Sequence, residues 1–600
     1  MRVADYIADY LYQQGVHHIF MVSGGGLMFL SDGLAKHPHI KAVCNHHEQA
    51  SAMAAVAYAK YNRVLGAAYL TTGCGGTNAI TGLLGAWQDN TPVFFISGQS
   101  KRKETVRNSG LKLRQFGVQE ADIISIVEPL TKYAVMVNDP QEIAWHLDKA
   151  LCLAKTGRPG PVWLDIPMDV QSAQVDPTSL KRFSETSASE KQPGPSLGDD
   201  DLAQVLAAFQ QSRRPIMVAG QGIRLAGAIP QFQAFVERHQ IPFATSRLGM
   251  DLLPSDHPLY IGRMGTKGDR PGNFAIQNAD FILVVGSRLS VSSTGHEYHT
   301  FGREAKIIVV DVDPVEHQKK TVRIDRFIHA HAAPFLGRLL AATPALPDHR
   351  VWVETCQRWK AKWPVCSSQY SQPGPVNLYY FVEMLSRQLR PDDVVVSDAG
   401  SAFYVCAQGL KVRQAQRFIT SGGQAEMGYT LPATVGVSLA RQGGEVIGVT
   451  GDGSFQMNLQ ELQTIIHYNL PIKLFVWNND GYLSIRSSQS RFFEGRFIGT
   501  DKTSGVSFPE LRRIADAYRM SYFNIESTEQ VEDGIRQVLA HPKAVLCEVN
   551  CLRDQEIIPT ASTARRPDGT LVSKPLEDMY PFLDREEFLR EMIVKPINFD

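Results

Sequence analysis

The 600-residue chain has no excess of charge of either sign: 61 Lys+Arg stand against 61 Asp+Glu. Without a basic block it lacks the electrostatic footprint that a phosphate backbone or an anionic lipid surface needs, so no nucleic acid and no membrane partner is expected. It has no CxxC pair. Its eight cysteines are scattered singly, which points to reduced, mostly buried thiols in a cytoplasmic protein. No window is apolar for the roughly 18 residues that a membrane span requires. The opening MRVADYIADYLYQQGV sets charged residues between helically spaced apolar ones, unlike a secretory leader. What is present is 44% hydrophobic content, an ordinary globular composition at a length that suits about three to four domains.

Short apolar runs alternate with helical patterns along the chain, the rhythm of parallel sheets covered by helices. In a first unit, residues 1–174, strands are expected at 18–22, 41–44, 66–70 and 92–96, with Gly24-Gly25-Gly26 as the turn after the first. Residues 175–198, rich in Ser, Thr, Pro and charge, read as a linker. A second unit, 199–345, carries the runs PIMVA, FILVVG and KIIVVDVDP. An irregular, Pro-marked linker is expected over 346–375. The third unit, 376–551, has strands at 394–398, 445–452, 472–479 and 544–549, and a polar tail, 552–600, reads as a lid folded over the body.

The sharpest chemistry lies in the third unit. An apolar strand runs into Gly451-Asp452-Gly453-Ser454, an amphipathic helix follows, and a second apolar strand ends at Asn478-Asn479-Asp480-Gly481. Glycines at 451 and 453 let the backbone approach a diphosphate, and helix-start N–H groups near Ser454 supply donors. Asp452 and Asn479, at the ends of neighbouring strands, offer oxygens to one hard cation; the Gly481 carbonyl would add a third, a donor set that suits Mg²⁺. Either motif alone reads more readily as a tight turn. Their combination, with both strands apolar, favours the site.

GDG followed by Asn-Asn at this separation resembles the signature of the thiamine-diphosphate enzyme superfamily, and nearly the whole chain is similar to its acetolactate synthase large-subunit branch. The resemblance implies an α/β fold of three doubly wound parallel-sheet domains, binding pyrimidine, nucleotide and diphosphate in turn, with thiamine diphosphate and Mg²⁺ as cofactors. In SGGQAEMGYTLPATVGVSLA (421–440) it places Met427 as the wedge that bends the cofactor, with the backbone of Ala425 and Met427 holding the aminopyrimidine. In NHHEQA (45–50) it makes Glu48 the carboxylic acid that activates the cofactor; the reading of the residues alone is a first-turn glutamate favoured by the helix dipole. TTGCGGTNAITGLLGAWQDNTPVFFISGQ (71–99) and QEADIISIVEPLTKYA (119–134) resemble further segments of the branch. Gly24, Gly25, Gly26, Gly73 and Asn78 thereby become cofactor-binding candidates, Gln119 is placed beside the reacting carbon, and Lys132 in the acceptor pocket. In the second unit AGQG (219–222) and SRLSVSSTG (287–295) resemble FAD-binding segments, so Gly220, Gly222 and Arg288 are assigned to FAD.

The chain departs from that branch at several positions. Ser484 and Ser488 stand where the branch has Met and Trp, and Val118 where it has Phe. With Ile485 these residues define an acceptor pocket that suits a larger, more polar acceptor. Ser401 and Ala402 replace Gln-His after Asp398-Ala399-Gly400. Ser292 replaces a second arginine of the FAD pattern, and Met264 a histidine. The resemblance implies a thiamine-diphosphate-dependent carboligase that decarboxylates a 2-oxo acid, pyruvate being the simplest, and adds the two-carbon unit to a carbonyl acceptor. It implies a homodimer or homotetramer, with the active site at the subunit interface. The alternatives are a carboligase acting on a nucleotide-linked keto sugar, a cyclic dione hydrolase, a simple decarboxylase and an inactive scaffold subunit.

Overall fold

The computed structural model of the chain describes residues 1–184, 196–342, 344–565 and 570–597. Residues 185–195 of the first expected linker, 175–198, lie outside the described residues.

Three six-stranded parallel sheets follow one another. The first holds β1 (His18–Met21), β2 (Lys41–Cys44), β3 (Gly66–Leu70), β4 (Val93–Gln99), β5 (Tyr133–Met136) and β6 (Val162–Pro167) in the order β2-β1-β3-β4-β6-β5. The second holds β7 (Pro215–Ala219), β8 (Phe243–Thr245), β9 (Tyr260–Arg263), β10 (Phe281–Val285), β11 (Lys306–Asp311) and β12 (Arg326–His329) in the order β12-β11-β10-β7-β8-β9. The third holds β13 (Val394–Ser397), β14 (Arg417–Ile419), β15 (Val446–Gly451), β16 (Ile472–Asn478), β17 (Ser521–Ile525) and β18 (Val545–Asn550) in the order β14-β13-β15-β16-β18-β17. The first and third sheets have the same topology. Central strands such as β4 and β10 are buried along their whole length. Helices cover both faces of each sheet, so these strands read as continuous apolar runs rather than alternating ones.

Strand order reverses between β1 and β3, β7 and β10, and β13 and β15, and in the first and third sheets again at the β6-β5 and β18-β17 edges. The loops at the carboxyl ends of β1 and β3, β7 and β10, and β13 and β15 form the crevices where ligands of such folds sit. The first and third domains meet along helices Glu48–Asn62 and Thr430–Ala440. Their facing residues are small: a Cβ on Gly436 would stand 2.1 Å from the Ala54 carbonyl oxygen.

Three expectations are corrected. The stretch 346–375 contains a helix, Arg350–Lys362, whose Trp352, Val353, Cys356 and Trp359 are buried against the central domain; its apolar residues at i, i+3 and i+4 spacing were masked by the flanking prolines. The tail is no lid. It forms an antiparallel pair, β19 (Thr563–Arg565) with β20 (Leu571–Ser573), and a helix, Arg585–Glu591. Leu576 and Phe588 are buried in the central core, and Gln277 Nε2 donates to Glu577 (2.6 Å). Of the thiols, Cys356, Cys406, Cys547 and Cys551 are buried, whereas Cys44 and Cys74 are exposed. Among the described residues no helix is long and apolar enough to cross a membrane.

Candidate functional site

At the β13/β15 crevice a buried carboxylate ties the two strand ends together. Asp398 accepts from Ser454 Oγ (2.6 Å), Thr450 Oγ1 (2.9 Å) and the Ala399 N–H (2.7 Å), and burial holds its pKa above the usual carboxylate range. Asp452 starts the short helix Asp452–Phe455 and is 4% exposed. Its carboxylate accepts from the N–H groups of Gly453 (2.8 Å), Gly481 (3.0 Å) and Asn479 (3.2 Å). Burial pushes it up to about 6 in spite of those donors. Beside it Oδ1 of the buried Asn479 has no hydrogen-bond partner among the described residues. Asn478, by contrast, is a structural residue whose Nδ2 donates to Glu548 (2.6 Å). A desolvated carboxylate next to an orphaned amide oxygen is a donor set that a divalent cation satisfies.

The two glycines of the GDG turn have different reasons to be there. A Cβ on Gly453 would lie 2.2 Å from the Tyr482 ring, whereas one on Gly451 would meet nothing within 4 Å. Position 451 is thus glycine at the edge of open space, where a ligand, not the protein, comes close.

The loop carrying Met427 is anchored from both sides. Gly428 N–H donates to Ser454 Oγ (2.8 Å), and Ala425 sits in the left-handed region at φ +53. From the first domain, Asp89 accepts from the N–H groups of Gly422 and Gly423, and Lys60 donates to the Thr420 carbonyl (2.8 Å). Met427 itself is half-buried. Sequence reading missed Asp89 and Lys60, since nothing local marks a pair that sequence distance separates from its partner loop.

In the first domain Glu48 begins the helix Glu48–Asn62 and is 8% exposed. Its Oε2 accepts from Asn78 Nδ2 (3.0 Å). Gly73 (φ +64) closes on Gln119 (φ +57): a Cβ there would stand 2.0 Å from the Gln119 carbonyl oxygen. Gly24 and Gly26 pack just as closely, their Cβ positions 2.4 and 1.9 Å from the hydroxyls of Thr71 and Thr72; Gly25, by contrast, has open space. The structure therefore gathers Glu48 with Asn78, and Gly73 with Gln119, at the β1/β3 end. The two catalytic halves of the chain are linked by Asn458 Nδ2 donating to Gln49 (3.1 Å), next to Glu48 rather than through it.

Of the acceptor-pocket candidates, Ser484, Ile485 and Ser488 share helix Leu483–Phe492, while Val118 belongs to the first domain. Val118 is 83% exposed and Ile485 49%. Ser488 Oγ is turned back to the Ile485 carbonyl (2.9 Å), and Ser484 Oγ faces Gly400. Lys132 is not brought to Gln119. Its ammonium donates to the carbonyls of Thr156 (2.6 Å) and Arg158 (2.8 Å), and burial lowers its pKa to about 8. It thereby braces the loop whose Arg158 pairs with Asp313 and Glu316 of the central domain.

At the β7/β10 crevice lies a cavity of about 400 Å³, lined by Gly222, Gly286, Arg288 and Asp311 and reaching Gln424 and Ala425. Gly220 is there for backbone crossing: its Cβ would stand 2.0 Å from the Gly286 carbonyl oxygen. Arg247 stacks on Phe403 at 4.3 Å in the same cavity wall. A cationic, glycine-edged cavity at a strand-order reversal fits a dinucleotide.

Comparison with known proteins agrees with this division. Family models of the thiamine pyrophosphate enzymes match residues 1–126 (N-terminal TPP binding domain), 202–339 (central domain) and 398–549 (C-terminal TPP binding domain). The chain is 32% identical to an acetolactate synthase of Arthrospira platensis, over 92% of this chain and 94% of that one. It is 31% identical to the acetolactate synthase isozyme 2 large subunit of Escherichia coli K12, over 96% and 100%, and 30% identical to the acetolactate synthase large subunit of Lactococcus lactis, over 92% of both.

Proposed function

The chain belongs to the thiamine pyrophosphate enzymes, in the branch of the acetolactate synthase large subunits, and on that footing we propose that it decarboxylates pyruvate and joins the two-carbon unit to a second 2-oxo acid in the cytoplasm. Thiamine diphosphate and Mg²⁺ are its cofactors. The observation that carries the site assignment is the orphaned Oδ1 of Asn479 beside the desolvated Asp452.

Asp452, Asn479 and the Gly481 carbonyl would hold the Mg²⁺, and the N–H groups at the start of helix Asp452–Phe455 would donate to the diphosphate. The backbone of Ala425 and Met427 would hold the aminopyrimidine, with the Met427 side chain as the apolar support beneath the cofactor. Bound thiamine diphosphate supplies an electron sink for the pair left behind when CO₂ departs. Glu48 holds a proton at the pyrimidine nitrogen; Asn78, donating to its Oε2, fixes the carboxyl for that work. Glu48 and Asp452 lie on different domains, each bonded within its own domain. As in the family the chain resembles, a second copy would bring Glu48 to the partner's diphosphate half, and the working form is a homodimer or homotetramer. Gly222 and Arg288 would hold FAD in the cavity at the β7/β10 crevice.

Purified protein incubated with thiamine diphosphate, Mg²⁺ and pyruvate alone is expected to release CO₂ and form acetolactate, quantified by mass spectrometry. Slow CO₂ release without acetolactate redirects the assignment to a larger acceptor, a nucleotide-linked keto sugar first. No CO₂ release at all rejects the reading. Flavin in the visible spectrum of the purified protein tests the FAD site.

A further inference from the structure

Helix Gly400–Gly409 starts at the carboxyl end of β13, with Gly400 in the left-handed region at φ +59. Its first N–H groups have no partner within the helix, and its first turn offers Ser401 and Ala402, neither of which carries charge. Facing this helix start is Ser484, in helix Leu483–Phe492. Its Oγ lies 3.6 Å from the position a Cβ on Gly400 would take. That hydroxyl is buried and unpartnered among the described residues, as is the amide oxygen of Asn479, five residues before it, whose side chain is 4% exposed.

An unpaired buried hydroxyl is unfavourable, and here it faces the donor end of a helix, where donors on both sides lack an acceptor. One species relieves both at once: an oxyanion between them, with lone pairs to spare for the helix N–H groups and the hydroxyl. We infer that Ser484 donates its hydroxyl hydrogen to a diphosphate oxygen of the cofactor, a contact that rests on the thiamine diphosphate reading above. Ser484 is a cofactor-positioning residue. It leaves the acceptor pocket, and it supplies from helix Leu483–Phe492 the donor that the first turn of Gly400–Gly409 lacks.

The test is calorimetric titration of the metal-loaded apoprotein with thiamine diphosphate, and separately with inorganic pyrophosphate, on wild type, Ser484→Ala and Ser484→Thr. Ser484→Ala is expected to weaken both ligands about tenfold, with an unchanged or higher unfolding midpoint for the apoprotein because the orphaned hydroxyl is gone. Ser484→Thr, which keeps the hydroxyl, stays within about threefold of wild type. At saturating cofactor the KM for pyruvate does not move. Wild-type affinity in Ser484→Ala overturns the inference, and a raised KM for pyruvate alongside it places the hydroxyl at the substrate. Weaker binding matched by a lower apoprotein midpoint overturns it as well, since the role is then structural. If wild type shows no Mg²⁺-dependent binding of thiamine diphosphate, both this inference and the reading beneath it fall.

Discussion

The carboxylate of Asp89 in the first domain accepts a 2.7 Å hydrogen bond from the N–H of Gly422 in the third, two residues into the loop that carries Met427. Its second oxygen takes the Gly423 N–H at 2.8 Å, and the Lys60 ammonium stands 2.6 Å away. Lys60 and Asp89 are 7% and 1% exposed, so removing one charge strands the other in a desolvated place. Asp89→Ala is expected to lower stability by about 3–5 kcal/mol, read from denaturant unfolding, and to weaken cofactor binding because the glycine pair loses its acceptor. A loss below about 1 kcal/mol contradicts the clamp.

Glu48→Gln keeps an acceptor for Asn78 but cannot exchange the proton. Turnover is expected to fall about 10²–10⁴-fold, with circular dichroism and unfolding midpoint unchanged. Undiminished activity removes Glu48 from the mechanism.

Asp452→Ala deletes the carboxylate to which three N–H groups point. Mg²⁺-dependent binding of thiamine diphosphate is expected to disappear in calorimetric titration, and retained affinity sinks the metal assignment.

Asp165 is buried, accepting from Ser97 Oγ (2.6 Å) and Gln99 Nε2 (3.0 Å), and burial pushes it up to about 7 despite those donors. In the unfolded chain it titrates near its ordinary value, about 3.9. Between about 4 and about 7 the folded state holds a proton that the unfolded state has lost. Its contribution is therefore fully present below about 4 and is lost as pH rises through about 7, at up to about 1.4 kcal/mol per pH unit. Asp165→Asn should flatten that part of the stability curve between pH 5 and 7, measured by urea midpoints; an unchanged slope excludes Asp165 as its source.

Phe588 is 4% exposed and its ring meets Phe274 at 5.9 Å. Phe588→Ala is expected to cost about 3–5 kcal/mol in urea unfolding. A lid over the active site would instead change turnover with little effect on stability, and that result would restore the lid.

Central strands were legible because burial on both faces makes them continuous apolar runs; β2, β3 and β7 occur with the expected bounds and eight others within about three residues of theirs, whereas β5, β6, β8, β9, β12, β14 and β17 were not expected. The helix Arg350–Lys362 was hidden by the prolines on either side, and the tail because its polar surface outweighs the few residues, Leu576 and Phe588 among them, that reach the core. In the site, Gly451-Asp452-Gly453 and Asn479 could be read because strand ends and helix starts in one βαβ unit are close in sequence, so local order dictates their meeting.

Sequence alone determined the parallel α/β class, the pairing of Asp452 with Asn479 and the candidacy of Glu48, since each depends on short-range pattern. Tertiary structure decided the rest. It gave Lys132 to the Thr156 and Arg158 carbonyls, turned Ser484 toward Gly400, and set Asp89 beneath a loop more than three hundred residues away. The physical reason is that a buried charge or hydroxyl takes whichever partner the packing of distant elements delivers, and no local spacing encodes that packing.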